Sequence, residues 1–247
     1  DYLHWRIKGE VQQQDADQLA REDLQCRTGQ MDPSSGTCQA VESQITRASL
    51  GGGDGTIGNI TDIYTPKINA SQRTVGAIIT DFRYGLPIGR FGSLSFNLNY
   101  SDVLKHEYKQ FPGDPTVSLI SDPIWNFNTA AGFKSKVNAS VTWNVGKWSS
   151  TLYVNRYGST PNYLATQYGY DTAGAGKLRP WVLYNASVAY SPIDNLQLSL
   201  MLDNVFNNMP PKDHSYPGTT GWAYDTTLYN AYGRAYYLEL TYKFGKR

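Results

Sequence analysis

The chain has 247 residues, a formal net charge of +1 and 17% charged residues, whereas about 25% is usual for a globular protein. This near-neutral charge gives no support for nucleic-acid binding, which needs a basic surface. No run approaches the ~20 apolar residues of a membrane-spanning helix, so the sequence excludes a helical membrane protein. It does not exclude a transmembrane β-barrel, because only alternate residues of a barrel strand face lipid.

Eight segments alternate apolar and polar side chains with a period of two, which is typical of strands that carry one apolar and one polar face. In chain order, these segments are 3–8, 73–84, 91–106, 133–145, 147–158, 179–190, 194–206 and 236–244. Most have roughly the 9–11 residues that cross a bilayer in a tilted strand. Their polar sides are rich in Asn, Ser and Thr, which predicts a wet interior. The 19 Tyr and 6 Trp residues are suited to the membrane–water interfaces.

The connections between these strands alternate between short and long. Three are tight turns, near 86–90, 146–147 and 191–194, and four are long, at roughly 9–60, 107–132, 159–178 and 207–232. Outer-membrane barrels combine short periplasmic turns with long extracellular loops in this way. An open sheet edge in lipid would leave backbone groups unpaired. The sequence therefore predicts an all-β protein that contributes to a closed, antiparallel transmembrane β-barrel.

The first long loop, 9–60, contains both cysteines of the chain, Cys26 and Cys38. Their spacing matches no metal motif, so a disulfide that closes the loop is expected, and this implies an oxidising compartment. The alternative is two free thiols that never meet. Residues 15–24 have the composition of a short helix. The glycine run 51–55 lacks the Lys-Ser/Thr of a phosphate-binding loop and is interpreted as a flexible loop.

Several segments together resemble the C-terminal end of TonB-dependent outer-membrane receptors. The most specific are LDNVFN at 202–207, the Pro-rich loop that follows it, and YGRAYYLELTYKF at 232–244. The hairpin 179–198 and the segments 1–8 and 64–70 are also similar, so the resemblance covers essentially the whole chain. Two features depart from the family pattern. The strand after Asn69 is less acidic than usual, and residues 245–247 extend past Phe244.

The resemblance implies that residues 1–247 are about eight C-terminal strands of a larger, 22-strand barrel. The loop 9–60 would then be a large, disulfide-containing extracellular loop. The N-terminal plug domain and the TonB box of the family are absent from this chain, so we expect a piece of a longer polypeptide. An independent eight-strand barrel is the alternative, because eight strands can close a barrel.

The function implied by the resemblance is that of an outer-membrane active-transport receptor. Such receptors bind a scarce ligand (a siderophore, cobalamin or an oligosaccharide) at the surface of a bacterial cell, for TonB-energised uptake into the periplasm. The expected partners are outer-membrane lipid, the plug and remaining strands of the same receptor, the TonB complex, the barrel-assembly machinery and the ligand. A passive porin-like or structural barrel is the first alternative, and an outer-membrane enzyme or adhesin is the second. No hydrolase, zinc-protease or phosphate-loop motif occurs, so we predict no catalytic residue, cofactor or metal.

Candidate ligand contacts are aromatic and polar side chains of the long loops, because aromatic faces beside Asn, Asp and His suit a sugar or an aromatic chelate. They are Trp125, Asn126, Tyr168, Tyr170, His214, Tyr216, Trp222, Tyr224 and Asp225. The alternative for each is packing against a neighbouring loop. Phe244, the aromatic residue that ends the last strand, is implied by the resemblance to be the signal for the assembly machinery.

Overall fold

The computed structural model describes residues 1–48, 58–124, 132–216, 223, 224, 226 and 228–245. The strands are β1 Tyr2–Gln13, β2 Ile45–Arg47, β3 Ile60–Ile63, β4 Lys67–Pro87, β5 Ser93–Lys109, β6 Val117–Ser118, β7 Ser135–Val145, β8 Trp148–Tyr157, β9 Thr160–Pro161, β10 Lys177–Leu178, β11 Trp181–Ile193, β12 Leu196–Asp203 and β13 Ala235–Tyr242. The helices are α1 Ala16–Arg27, α2 Gly36–Gln44 and α3 Tyr163–Tyr168, with a 3-10 turn at Gly89–Phe91.

All eight predicted strands are confirmed, and they form one sheet in the order β1-β4-β5-β7-β8-β11-β12-β13. The pairs from β5 to β13 are antiparallel. Within the described part of the chain, β1 and β13 are the edges of this sheet. The last strand ends at Tyr242, two residues before its predicted end. The described residues contain no helix that is long and apolar enough to cross a membrane.

The chain divides into two compact units. The first, called the sheet unit, comprises Asp1–Leu3, Ala77–Leu104 and Gly132–Arg247. The second, called the loop unit, comprises His4–Gly76 and Lys105–Ala131. The loop unit contains the first long connection, with α1, α2 and the small β2–β3 pair. It also includes residues 4–13 of β1, 67–76 of β4 and 105–109 of β5.

The register of the sheet unit aligns apolar side chains from strand to strand. Val188 of β11 is paired with Leu200 of β12, and Leu200 is paired in turn with Leu238 of β13. These side chains are 38%, 41% and 82% exposed. A face of exposed leucines and valines across neighbouring strands is unfavourable in water and is the expected outer face of a barrel in lipid.

Aromatic side chains lie at both ends of this apolar face. Trp148 stacks on Tyr190 with 4.4 Å between ring centroids, near the short turns. Tyr184 packs edge-to-face on Phe206 at 5.1 Å, towards the long connections. The distance from Tyr190 to Tyr184 along β11 is roughly 20 Å at about 3.3 Å per residue, comparable with the ~25 Å height of the apolar band of outer-membrane barrels.

The opposite face of the sheet unit is polar. Asn99 donates from Nδ2 to Asp81 Oδ1 at 2.7 Å, and the hydroxyl groups of Thr142 and Thr151 are 2.9 Å apart. A hollow of about 270 Å³ opens on this face, lined largely by Asn, Asp and Ser side chains with Tyr153. The predicted division into one apolar and one wet face is confirmed.

A tight contact beside the first short turn requires glycine. Gly92 follows the 3-10 turn with φ of +90°, and a Cβ at this position would lie 1.9 Å from the backbone oxygen of Asn144 on β7. Gly89, in the same turn, also has a positive φ, but a Cβ there would meet nothing within 4 Å. The close approach of β7 therefore depends on the missing side chain of Gly92.

The predicted disulfide between Cys26 and Cys38 is confirmed and joins α1 to α2, with 5.7 Å between the Cα atoms. The predicted helix over 15–24 corresponds to α1, which continues to Arg27. Asp15 caps this helix by accepting a hydrogen bond from the backbone N–H of Gln18 at 3.1 Å, as short acidic side chains do at helix N-termini. The core of the loop unit is Leu19, Val41 and Ile45, with Ile60 and Ile63 packed against it. The glycine run 51–55 lies outside the described residues.

Candidate ligand-binding surfaces

Two of the long connections of the sheet unit are joined by one buried carboxylate. Asp213, which is 5% exposed, accepts a hydrogen bond at Oδ2 from the backbone N–H of Tyr163 at 2.6 Å, at the start of α3. Its Oδ1 accepts from the backbone N–H and the hydroxyl group of Ser215 at 2.9 and 2.6 Å. The Ser215 Oγ in turn accepts from the backbone N–H of Leu164 at 3.2 Å. The described residues of the loops 159–178 and 207–232 are therefore joined to each other by these hydrogen bonds.

An aromatic cluster in the sheet unit supports these loops. It consists of Phe133, Trp181, Tyr224 and Tyr229, which are at most 8% exposed. The Tyr229 hydroxyl group lies 2.9 Å from Thr160 Oγ1, and Trp181 Nε1 donates to the backbone oxygen of Asn208 at 3.0 Å. Buried Tyr and Trp side chains commonly find such partners for their polar atoms. This packing fixes the loops that carry several of the predicted contact residues.

The predicted contact residues have different positions in these loops. Tyr168, at the end of α3, is 66% exposed, and Tyr170 is 37% exposed, with Lys177 Nζ at 5.6 Å from its ring centroid. Tyr216 packs edge-to-face on Tyr163 at 5.5 Å between centroids. Asp213 and Ser215 thus bring Tyr216 to α3, the helix that ends at Tyr168.

Of the other candidates, one is exposed, one is buried in the aromatic cluster, and four lie outside the described residues. His214 is exposed beside the buried Asp213. Tyr224 is a member of the aromatic cluster, so most of its surface is used in packing. Four candidates lie outside the described residues, and these are Trp125, Asn126, Trp222 and Asp225. Ligand contact by any of the nine stays a prediction.

The loop unit contains a basic cavity that the sequence analysis did not identify. Its volume is about 330 Å³, and its walls come from β1, β4, β5 and the segment before β6. The lining residues are His4, Arg6, Gln72, Thr74, Lys105, Glu107, Tyr108, Lys109 and Thr116. Lys105 Nζ lies 3.1 Å from Glu107 Oε2. Among the described residues, Arg6 and Lys109 have no carboxylate within ion-pair distance.

A signal for this cavity was present in the sequence. Residues 4 and 6 share one face of the predicted strand 3–8, because alternate residues of a strand point to the same side. Lys105 lies in the predicted strand 91–106, whereas Lys109 lies in the predicted loop 107–132 and is part of β5 only in the structure. The sequence pattern does not show which strands are neighbours in the sheet. β4 lies between β1 and β5 in the sheet, and this order brings together basic residues that are about one hundred positions apart in sequence.

A second polar cluster of the loop unit is fully enclosed. Glu22 of α1 is 2% exposed and Gln110 is 4% exposed. Gln18 Nε2 donates to Glu22 Oε1 at 2.8 Å and to Gln110 Oε1 at 2.8 Å, while Gln110 Nε2 donates to Glu22 Oε2 at 3.2 Å. Desolvation by burial raises the pKa of Glu22 from 4.5 to about 7, against the effect of these hydrogen bonds, and Asp114 contributes to the rise.

His106 of β5 lies beside an arginine side chain. His106 Nε2 lies 3.1 Å from the guanidinium group of Arg73, which also donates from Nε to Glu10 Oε2 at 2.9 Å. Within the described ranges, no three His, Cys, Asp or Glu side chains are grouped closely enough to hold a metal ion.

Comparison with known proteins identifies the fold. No protein-family model matches the sequence, and no curated protein sequence matches it either. Solved structures do match. Two mutants of the ferric enterobactin receptor PfeA from Pseudomonas aeruginosa are each 16% identical to the chain, with TM-scores of 0.53 and 0.54. A third mutant, in complex with enterobactin, is 15% identical with a TM-score of 0.52. The chain therefore shares its fold with a part of these proteins.

This likeness covers 98% of the chain and 28% of the matched receptor chains, so the chain spans just over a quarter of their length. The predicted antiparallel, outer-membrane type of sheet is confirmed. The resemblance of the sequence motifs to TonB-dependent receptors is confirmed at the level of fold. The matched proteins are receptors.

Proposed function

We propose that residues 1–247 form the C-terminal part of the barrel of an outer-membrane receptor, which binds a scarce ligand at the cell surface for TonB-energised uptake. The observation that carries this proposal is the match of nearly the whole chain to a receptor for ferric enterobactin, one of whose matched structures contains enterobactin. A siderophore is therefore the first ligand class to test, before cobalamin and oligosaccharides.

The two faces of the sheet unit support this proposal. In a receptor barrel, exposed Leu238 and Leu240 of β13, which are 82% and 65% exposed, contact outer-membrane lipid. The polar face, with Asp81 and Asn99, lines the lumen and faces the plug, which lies elsewhere in the receptor. Phe244, which is 90% exposed and packs on Tyr242 at 4.7 Å, is the signal to the barrel-assembly machinery.

The loops supply the ligand-binding surface in this proposal. Tyr168, Tyr170, His214 and Tyr216 lie on the loops that Asp213 joins, where exposed aromatic rings can stack on an aromatic chelate or a sugar ring. Their replacement by alanine should weaken ligand binding in the full-length receptor. Tyr64→Ala is a matched control, because Tyr64 is 66% exposed but lies outside these two loops.

Uptake of labelled ferric enterobactin, a ferric trihydroxamate, cobalamin and a maltodextrin by cells that express the full-length receptor tests the proposal. At least one ligand should accumulate in cells with an intact TonB complex and remain surface-bound in cells without it. The passive porin alternative predicts uptake that does not depend on TonB, and steady open channels when the purified protein is placed in a planar bilayer. Either of these results would overturn the transport proposal.

A further inference from the structure

The basic cavity of the loop unit is lined by basic side chains from two strands that are not neighbours in the sheet. Arg6 enters it from β1, and Lys105 and Lys109 enter it from β5, with Thr74 of β4 between them. Strand alternation puts Lys105, Glu107 and Lys109 on the same side of β5. The three basic side chains therefore share one hollow instead of being distributed over the surface.

The charges in this cavity do not balance. Three basic side chains, Arg6, Lys105 and Lys109, face one acidic side chain, Glu107, which leaves a formal excess of two positive charges. Glu107 is engaged by Lys105 at 3.1 Å. Within the part of the chain that the structure describes, Arg6 and Lys109 lack an ion-pair partner. Like charges in a concave site raise the local potential and attract an anion of opposite charge.

The uncharged part of the wall is also polar. Gln72, Thr74 and Thr116 present amide and hydroxyl groups to the cavity, and these groups can donate hydrogen bonds to anionic oxygens. The volume of about 330 Å³ lies at the lower end of the range for small-molecule sites. Most small-molecule sites have an apolar lining, whereas this cavity is lined mainly by charged and polar side chains. It is therefore suited to a compact, charged group.

We propose that this cavity is a binding site for a multivalent oxyanion, with Arg6 and Lys109 as its principal contacts and Glu107 as a residue that sets its selectivity. The proposal deepens the proposed function, on which it rests, because it assigns the ligand two or more negatively charged oxygens. Carboxylates and phosphates share this chemistry. Arg6 can hold two oxygens of one group with its planar guanidinium, whereas Lys109 acts as a point charge.

Glu107 opposes the binding of weakly charged anions. By pairing with Lys105 it lowers the net charge of the cavity from three to two, which weakens the attraction for every anion. A monovalent anion interacts through a single charge, so it retains the least attraction. A multivalent anion interacts with Arg6 and Lys109 together and competes with Glu107 for Lys105. That ion pair is easily exchanged, because the two side chains are 47% and 35% exposed and an exposed pair contributes little.

Calorimetric titration of the full-length receptor in detergent tests this proposal. The probes are citrate, pyrophosphate, chloride and uncharged sucrose, each at low and at physiological ionic strength. Citrate or pyrophosphate should bind saturably and more weakly at the higher ionic strength, and the tighter of the two identifies a carboxylate or a phosphate ligand. Chloride and sucrose should show no saturable binding.

Four variants separate the cavity from general surface charge. Arg6→Gln and Lys109→Gln should each weaken binding of the multivalent probe by roughly three- to tenfold, and Glu107→Gln should strengthen it by a similar factor. Lys8→Gln is the matched control, because Lys8 is an exposed cation of the same strand that does not line the cavity. Its affinity should equal that of the wild type.

Three outcomes overturn the proposal: no saturable binding of either multivalent anion, equal losses in Lys8→Gln and Lys109→Gln, or weaker binding in Glu107→Gln. Failure here is distinguishable from failure of the proposed function. A receptor that takes up an uncharged ligand with TonB dependence and ignores both anions retains its transport role without an oxyanion site. A protein that binds the anions but shows no TonB-dependent uptake has the site without that role.

Discussion

Because the carboxyl group of Glu22 is buried, we predict that the loop unit becomes less stable against local unfolding as the pH rises. Glu22 is held by two neutral amides, those of Gln18 at 2.8 Å and Gln110 at 3.2 Å. Desolvation by burial raises its pKa from 4.5 to about 7, these two hydrogen bonds lower it, and the Asp114 carboxylate raises it further. In mildly acidic solution the side chain is therefore neutral in the folded loop unit, whereas it would be ionised in an unfolded chain.

The size and direction of the effect follow from these two pKa values. A difference between 4.5 and about 7 corresponds to roughly 3 kcal/mol, at 1.36 kcal/mol per unit. Because the folded-state pKa is the higher one, the stabilisation is complete below about pH 4.5 and is lost as the pH rises through about 7. Above that pH, the folded loop unit contains an ionised carboxylate without a cationic partner among its hydrogen bonds.

Hydrogen exchange of the α1 amides measures this loss locally, because exchange reports the free energy of local opening. The full-length receptor is compared at mildly acidic and mildly alkaline pH, with rates corrected for the intrinsic pH dependence of exchange. Protection in wild-type α1 should fall by roughly one to two orders of magnitude across this range. Glu22→Gln has nearly the same shape without the charge, so its protection should change much less. Glu42→Gln, an exposed residue of α2, should behave as the wild type does.

Two results would refute this reasoning. If protection of α1 in Glu22→Gln fell as steeply as in the wild type, another group would be responsible for the pH dependence. If wild-type protection were constant or increased with pH, Glu22 would be ionised at low cost in the folded state.

Three further predictions concern the cross-link, a turn and the C-terminus. Cys26→Ser should destabilise the α1–α2 pair by roughly 3 kcal/mol in the chain-entropy model, measured as faster hydrogen exchange of both helices, and equal exchange would show that packing alone holds them together. Gly92→Ala should destabilise the folded sheet by roughly 2–5 kcal/mol, because the added methyl group overpacks against β7 and the positive φ is strained. This should reduce the folded fraction on heat-modifiability gels. Gly89→Ala should destabilise the sheet less, because its side chain meets no neighbour. Deletion of residues 244–247 should impair outer-membrane insertion while deletion of 245–247 should not, and normal insertion of the longer deletion would contradict a signal at Phe244.

The strands were predictable because their signal is local. Alternation in 194–206 or 236–244 depends only on which face of one strand is apolar, so it appears in a single sequence without knowledge of the neighbours. The same holds for α1, whose N-cap Asp15 precedes it directly. The disulfide was predictable because the chain contains only two cysteines.

The binding surfaces were not predictable in the same way, because each depends on contacts between distant segments. Tyr224 and Tyr216 are similar residues of one loop, yet Tyr224 packs in the aromatic cluster and Tyr216 packs on Tyr163. No local pattern distinguishes the two. The role of Asp213 likewise depends on the backbone of α3, fifty residues earlier in the chain.

The sequence by itself determined the class of this protein: strands with one apolar and one wet face, short and long connections in alternation, and terminal motifs that resemble those of TonB-dependent receptors. Only the tertiary structure decided where charge is concentrated. The order β1-β4-β5 brings Arg6 and Lys109 into the lining of one cavity, and the packing of α1 encloses Glu22 with Gln110. The physical reason is that side-chain direction along a strand is set by neighbouring residues, whereas burial and charge density are set by whichever segments pack together.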